Sequence, residues 1–413
     1  MTAGTTAAEK VSRDTVIIVT AGGIVLALAF GVRAVFGGVV QPLSDDLFGG
    51  RIEIFSLSIA IQNLVWGLAQ PGFGMIADRY GDRPALWLGF VCYAAGMGVC
   101  VLGTTPLAQH LGAGVLVGMG ISGTAFGTVL AVVGRVAPPD KRSFYLGVAS
   151  AMGSAGQALL PLLVSWLIAW FDWRMTLVIV TGLLAPMALC IPFLRTGGHG
   201  VSEDDPVDLG QTVRRAFGHT SFTLLSAGFF VCGFHLAFIT AHLPNFVQNF
   251  CTGTNLSPEE LRGLGLRALA LAGFANIFGT LFASRLGGRF PKPYVLAAIY
   301  ALRALVILGF ISFPVTPASV LVFGFVMGGL WLSTVPLTSA LVLVMFGPRA
   351  MGTLFGFVFL SHQLGSFAGA WLGGVWFDRT GSYDMVWYVA IVLGIASAVI
   401  HLLVQERPAP VPA

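Results

Sequence analysis

Residues 74–85 read GMIADRYGDRPA. Within them Gly74, Asp78, Arg79, Gly81 and Arg83 form the pattern G-x-x-x-D-R-x-G-x-R. Long apolar stretches flank the segment on both sides, so it reads as a short charged turn between two helices. Gly74 permits close approach of a neighbouring helix, and Gly81 suits a tight turn. Asp78 can meet a basic group or the N-terminal end of another helix. Part of the pattern returns at an offset of 206 residues: Arg79, Gly81 and Arg83 match Arg285, Gly287 and Arg289. At the same offset Gln157, Trp170, Phe171 and Asp172 match Gln363, Trp376, Phe377 and Asp378. A constant offset at two separate loci marks an internal repeat.

Outward from this turn the chain has the composition of a membrane protein. Of its 413 residues 56% are hydrophobic and only 10% charged. A helix needs about 20 apolar residues to cross the hydrocarbon core of a bilayer. Twelve stretches approach that length: 15–38, 55–77, 84–104, 107–136, 143–170, 174–194, 220–247, 264–286, 293–312, 318–346, 352–377 and 385–404. The longest polar insert, 195–219, divides six from six; its acidic cluster from Glu203 to Asp208 has the composition of a solvated linker. The expected fold is an all-α membrane protein. Residues 1–194 and 220–413 form two pseudo-symmetric six-helix bundles joined by a cytoplasmic linker. Parallel repeats of this kind place a substrate site at their interface near the bilayer midplane.

The net charge of +4 is unevenly distributed. With the N-terminus inside, Lys10, Arg13, Arg79, Arg83, Arg135, Lys141, Arg142, Arg195, Arg214, Arg215, Arg285, Arg289, Lys292, Arg349 and Arg407 fall on one side. Only Arg51, Arg174, Arg262, Arg267 and Arg379 fall on the other. The positive-inside rule then puts both termini in the cytoplasm of a multi-pass inner-membrane protein. The first apolar stretch exceeds a signal-peptide core and reads as a retained helix. The five cysteines lack metal spacing and read as packing thiols. The sequence contains no G-x-x-x-x-G-K-[ST] loop and no histidine pair with metal spacing. A gradient rather than phosphoryl transfer is therefore the expected driving force. No cofactor is expected, and the chain has no credible nucleophile for an enzyme.

The 74–85 pattern resembles the loop motif of the major facilitator superfamily, and with the repeat this resemblance extends over the whole chain. It implies transport by alternating access, with Gly74, Asp78, Arg79, Gly81 and Arg83 as a conformational latch. Three further segments resemble bacterial relatives of the monocarboxylate transporters and oxalate/formate exchangers: GVRAVFGGVVQPL (31–43), KRSFYLGVASAMGSAGQALLPLL (141–163) and GTLFGFVFLSHQLGSFAGAWLGG (352–374). Mammalian members of that family carry an acidic residue and an arginine four apart in the eighth helix. In LALAGFANIFG (269–279) the matching positions are Leu271 and Ala275. The resemblance thus leaves the anion-binding charge to another helix.

Two cations lie inside apolar stretches, Arg33 in the first and Arg303 in the ninth. A charge at bilayer depth is a functional-site hypothesis by default. No carboxylate lies in the central part of any stretch, so an incoming anion would supply the partner. Arg33 sits eighteen residues past position 15, about 27 Å along a straight helix. It can line a cavity or snorkel to the outer interface; Arg303 can contact substrate or anchor neighbouring helix ends. His235 and His362 sit mid-span, and histidine is the residue type that exchanges protons near neutral pH. Phe30, Trp331, Ser333 and Asn276 can supply an apolar wall and hydrogen bonds to the substrate or simply pack. The expected function is proton-coupled transport of a small organic anion, first of all a monocarboxylate. Its partners would be that anion, protons and membrane lipid, with no nucleic acid, and the protein a monomer. The rivals are an efflux antiporter for apolar or cationic compounds and a non-transporting membrane receptor.

Overall fold

The structure, a computed structural model, describes residues 13–194 and 208–409. Lys10, Arg195 and most of the acidic linker lie outside the described residues. A bilayer offers no water to a stray amide, so spanning segments must satisfy their backbone internally as helices. The first six spans are α1 (Arg13–Phe48), α2 (Ile52–Tyr80), α3 (Asp82–Leu102), α4 (Pro106–Val136), α5 (Arg142–Ile168) and α6 (Trp173–Phe193). A short helix, Leu209–Phe217, precedes the second set. That set is α7 (Thr220–Phe250), α8 (Pro258–Gly287), α9 (Lys292–Ser312), α10 (Pro317–Phe346), α11 (Met351–Thr380) and α12 (Asp384–Leu402).

Ten of these helices are long and apolar enough to cross a membrane by length and composition. The other two, α2 and α11, have spanning lengths of 29 and 30 residues but more polar sequences. Their position explains it. Within the halves α1 packs on α5, α2 and α3 on α4, α7 on α11, α8 on α10, and α9 on α12. The halves meet mainly where α2 lies against α11 and α5 against α8. The polar faces of α2 and α11 are turned to protein and cavity, with Gln62, Asn63, Gln70 and Asp78 on one and His362 and Gln363 on the other, while Leu57, Leu68, Met75 and Leu364 are exposed on their outer faces.

Helices α4 and α10 are both interrupted. Helix α4 contains a wide turn of π-helix at His110–Leu116 and bends at Ala125; α10 breaks at 331–333. Residues 125 and 331 are again 206 apart. Two repeat-related side chains hold the two interruptions. Gln70 donates to the Ser122 carbonyl (2.9 Å) and accepts from Trp66 Nε1 (3.0 Å). Asn276 accepts from the Leu332 amide (2.8 Å) and donates to Ser154 across the interface between the halves (2.7 Å). Each interruption delivers an aromatic side chain, Phe126 or Trp331, to the space between the halves.

Candidate functional site

A cavity of about 700 Å³ lies between the two bundles, lined by side chains of α1, α2, α4 and α5 from one half and α7, α8, α10 and α11 from the other. It is closed at the end that carries the 74–85 turn. From helix direction, Phe30, Trp66, Phe126 and Phe359 form its closed floor, with Arg33 and His362 about one turn further out. The floor rings touch in sequence: Trp66 lies 5.8 Å from Phe30 and 4.7 Å from Phe359, and Phe126 lies 4.6 Å from Phe30.

Arg33 faces this cavity. Its Nη2 donates to Asn63 Oδ1 (2.5 Å), and its guanidinium carbon stands 5.1 Å from the Trp66 ring centre. Its Nε is buried with no hydrogen-bond partner in the protein. No aspartate or glutamate lines the cavity among the described residues. His362 stacks on Phe359 (5.2 Å, 11° between planes) and pairs through Nδ1 with Gln363 Oε1 (3.1 Å). Its Nε2 has no hydrogen-bond partner among protein oxygens and nitrogens. Gln157 and Gln363, the repeat-related pair, both line the cavity, and Gln363 also bonds the Asn63 carbonyl across the halves (2.9 Å).

Of the sequence candidates, Arg33, His362, Phe30 and Trp331 thus converge, and four others do not. His235 is buried inside the second half, its Nε2 on the Ala390 carbonyl of α12 (2.8 Å). Ser333 bonds back to the Gly329 carbonyl (2.7 Å), within its own helix. Asn276 holds the α10 break and the α5–α8 contact. Arg303 lies outside the cavity lining, in the anchoring position that is the other of its two expected roles. Its Nε donates to the Leu330 carbonyl (3.1 Å), and its Nη2 to the carbonyls of Leu330 and Trp331. These are the open carbonyls at the C-terminal end of the Pro317–Leu330 segment, where a helix dipole favours a cation. Arg303 needs no acid partner because the carbonyls of the broken helix accept its hydrogen bonds.

At the closed end Asp78 accepts hydrogen bonds from the amides of Gly352 (3.1 Å) and Thr353 (2.7 Å), at the N-terminus of α11. It also pairs with Arg135 (2.5 Å), which reaches Asp82 and donates through Nε to the Pro348 carbonyl (3.0 Å). A Cβ on Gly74 would overlap the Gly352 carbonyl, so only glycine lets α2 and α11 approach this closely. Gly81 adopts φ +96°, a backbone region open to glycine, and turns the chain from α2 into α3. Arg79 and Arg83 stay outside this contact: Arg79 lies over the Tyr80 ring (5.4 Å) and Arg83 bonds the Pro192 carbonyl within its own half. Sequence reasoning missed Arg135 and Asp82. Arg135 reads there only as one more basic residue at a helix end.

Residues 22–251 and 252–413 match the profile of the Major Facilitator Superfamily. The chain belongs to that family. An MFS-type transporter of Bacillus subtilis (strain 168), YcxA, is 26% identical over 390 residues, 90% of each chain. Monocarboxylate transporter 13 of Bos taurus is 26% identical over 382 residues, 88% of this chain and 83% of its own. Among solved structures, the human organic anion transporter MFSD10 superposes with a TM-score of 0.72 over 94% of this chain and 100% of its own, at 17% identity. The Escherichia coli fucose:proton symporter FucP does so with a TM-score of 0.71, covering 95% and 100%, at 13% identity. At these identities the superpositions establish the fold. Like its family, this protein is a multi-pass membrane transporter of small molecules rather than an enzyme.

Proposed function

We propose that the protein carries an organic monoanion across the inner membrane, coupled to protons, by alternating access. One observation carries this reading: the Arg33 guanidinium faces a cavity without carboxylates, and its buried Nε has no partner in the protein. A buried donor without an acceptor is costly, and a carboxylate offers the planar pair of acceptors that a guanidinium fits. The cavity walls offer an exported cation no countercharge. Sequence similarity to monocarboxylate transporters over most of the chain points the same way.

In this reading residues 1–194 and 220–413 are the rocking units, and 195–219 is a cytoplasmic tether. The positive-inside bias makes the closed end cytoplasmic, so the conformation described here faces outward. Asp78, Arg135 and the α11 N-terminus form the latch that holds the cytoplasmic side shut. His362, next to the cavity, is the proton-exchanging group, and His235 is a packing residue. One chain encloses the whole site, in keeping with a monomer.

The test is uptake of labelled monocarboxylates into proteoliposomes, with membrane potential clamped and a pH gradient imposed. Saturable uptake that an inward proton gradient accelerates and Arg33→Gln abolishes is the expected result. Uptake unchanged in Arg33→Gln would place the anion site elsewhere. Uptake indifferent to the gradient would leave exchange or uniport.

A further inference from the structure

We infer that the carried anion is an aryl carboxylate: a planar ring seated on the aromatic floor of the cavity, with its carboxylate on Arg33. The inference rests on the organic-anion reading and adds the chemistry of the rest of the substrate. Four rings, Phe30, Trp66, Phe126 and Phe359, meet at the closed end of the cavity with centroid separations of 4.6–6.3 Å. They come from both halves of the protein, three from the first and one from the second. Interplanar angles of 42–64° leave tilted faces and edges presented in several directions. Such an arrangement suits an aromatic guest, whose own edge and face match it.

Size points the same way. A cavity of about 700 Å³ lies in the range that encloses drug-sized ligands. Formate, oxalate or acetate would leave most of the apolar wall wet. The charged and apolar features are also close together. Arg33 already sits over the Trp66 ring at 5.1 Å, so an anion on the guanidinium holds its tail one helical turn above the floor. His362 lies flat on Phe359 on the opposite side, its Nε2 without an oxygen or nitrogen partner. A ring seated on the floor beside the guanidinium therefore reaches side chains of α1, α2 and α4 of one half and α11 of the other. Rocking of the halves would divide that floor between them, and the substrate ring would bridge it only in the closed site.

The experiment compares three ligands on the detergent-purified protein by titration calorimetry: 3-phenylpropionate, 3-cyclohexylpropionate and neutral 3-phenylpropionamide. The two acids share charge and chain length and differ in aromaticity; the amide keeps the ring and lacks the charge. The expected result is that 3-phenylpropionate binds about tenfold tighter than its cyclohexyl counterpart, and that the amide binds far more weakly. Phe126→Leu and Phe359→Leu, each with its melting temperature recorded, should shrink the aryl preference to about twofold while both acids still require Arg33. Equal affinity for the two acids, or preference for the cyclohexyl acid, overturns the aryl inference and leaves the organic-anion reading standing. Binding of the amide as tight as that of the acid overturns the anion reading itself. No binding of 3-phenylpropionate up to about 10 mM also overturns the aryl inference.

Discussion

Arg33 and Arg303 look alike in the sequence and do opposite things in the fold. Both are cations in apolar helices without a nearby acid. Arg303 has its guanidinium engaged by the carbonyls of Leu330 and Trp331 and is almost wholly buried. Arg33 has one protein acceptor, Asn63, a Trp66 ring beneath it and an idle Nε beside an open cavity. The difference teaches that depth in the membrane does not make a charge functional. What matters is whether the protein has already met the group's hydrogen-bonding needs. Where it has, the charge is a brace; where it has not, the charge is left to meet a ligand, the role proposed for Arg33.

The sharpest way to break this comparison is to remove each arginine in turn. Arg33→Gln is expected to weaken binding of 3-phenylpropionate by about a hundredfold or more, because a charged partner is lost from a desolvated site. Its melting temperature should stay close to that of the parent, since the structure asks little of Arg33. Arg33→Lys should restore little of the binding, because an ammonium lacks the planar fork. Calorimetry and thermal melts on one preparation check both statements. Arg303→Met is expected to do the reverse. It strips the Leu330 carbonyl of its guanidinium donors and leaves the Trp331 carbonyl only a long contact from the Cys232 thiol (3.9 Å), at about 1–3 kcal/mol for each bond lost. The melting temperature should fall by several degrees, while protein that remains folded still binds the anion. A stable Arg303→Met protein that fails to bind would reverse the roles assigned here.

A smaller effect is expected at the closed end. Asp78→Asn removes a charge that two α11 amides and Arg135 share. Turnover in proteoliposomes should fall about tenfold, from the loss of charge-assisted hydrogen bonds in one conformation only. Equilibrium affinity should change much less, and equal losses in both would count against a latch. The pseudo-symmetric contact between α5 and α8 has no such charge: Ser284 stands where Asp78 would repeat, packed against Gly147. Ser284→Ala is expected to leave turnover nearly unchanged, which sharpens the contrast between the two contacts.

The smallest expected effect separates the two mid-span histidines. His362→Gln should remove most of the acceleration of uptake by an inward proton gradient and leave uptake without a gradient within about a factor of three. His235→Gln should leave the acceleration intact, because His235 is turned to the Ala390 carbonyl, away from the cavity. Acceleration that survives in His362→Gln and disappears in His235→Gln would make His235 the carrier.

The twelve helices, the repeat and the turn at 74–85 are legible in the sequence because each is local. Apolar length, a constant offset and a glycine before a charge need no knowledge of neighbours. The broken helices α4 and α10 left a fainter trace. Glycines do flank both breaks, Gly123 and Gly127 at one and Gly328 and Gly329 at the other, but glycine is so frequent in these helices that they single out neither place, and the partners Gln70 and Asn276 lie 55 residues before each. The aromatic floor was half legible. Phe30 stands out near Arg33, whereas Trp66, Phe126 and Phe359 are three among the many aromatics of the chain.

Composition and spacing by themselves determined that this chain crosses a membrane as paired six-helix repeats, and that two cations lie at depth. Lipid and protein interior are equally apolar solvents, so a spanning helix carries little record of which face meets which. Only the tertiary structure decided that Arg33 and His362 share a cavity while Arg303 and His235 are turned inward. It alone brought Arg135 to Asp78 and a fourth ring, from the far half of the chain, to the floor of the site. Those are choices of helix rotation and packing, made between residues tens to hundreds of positions apart.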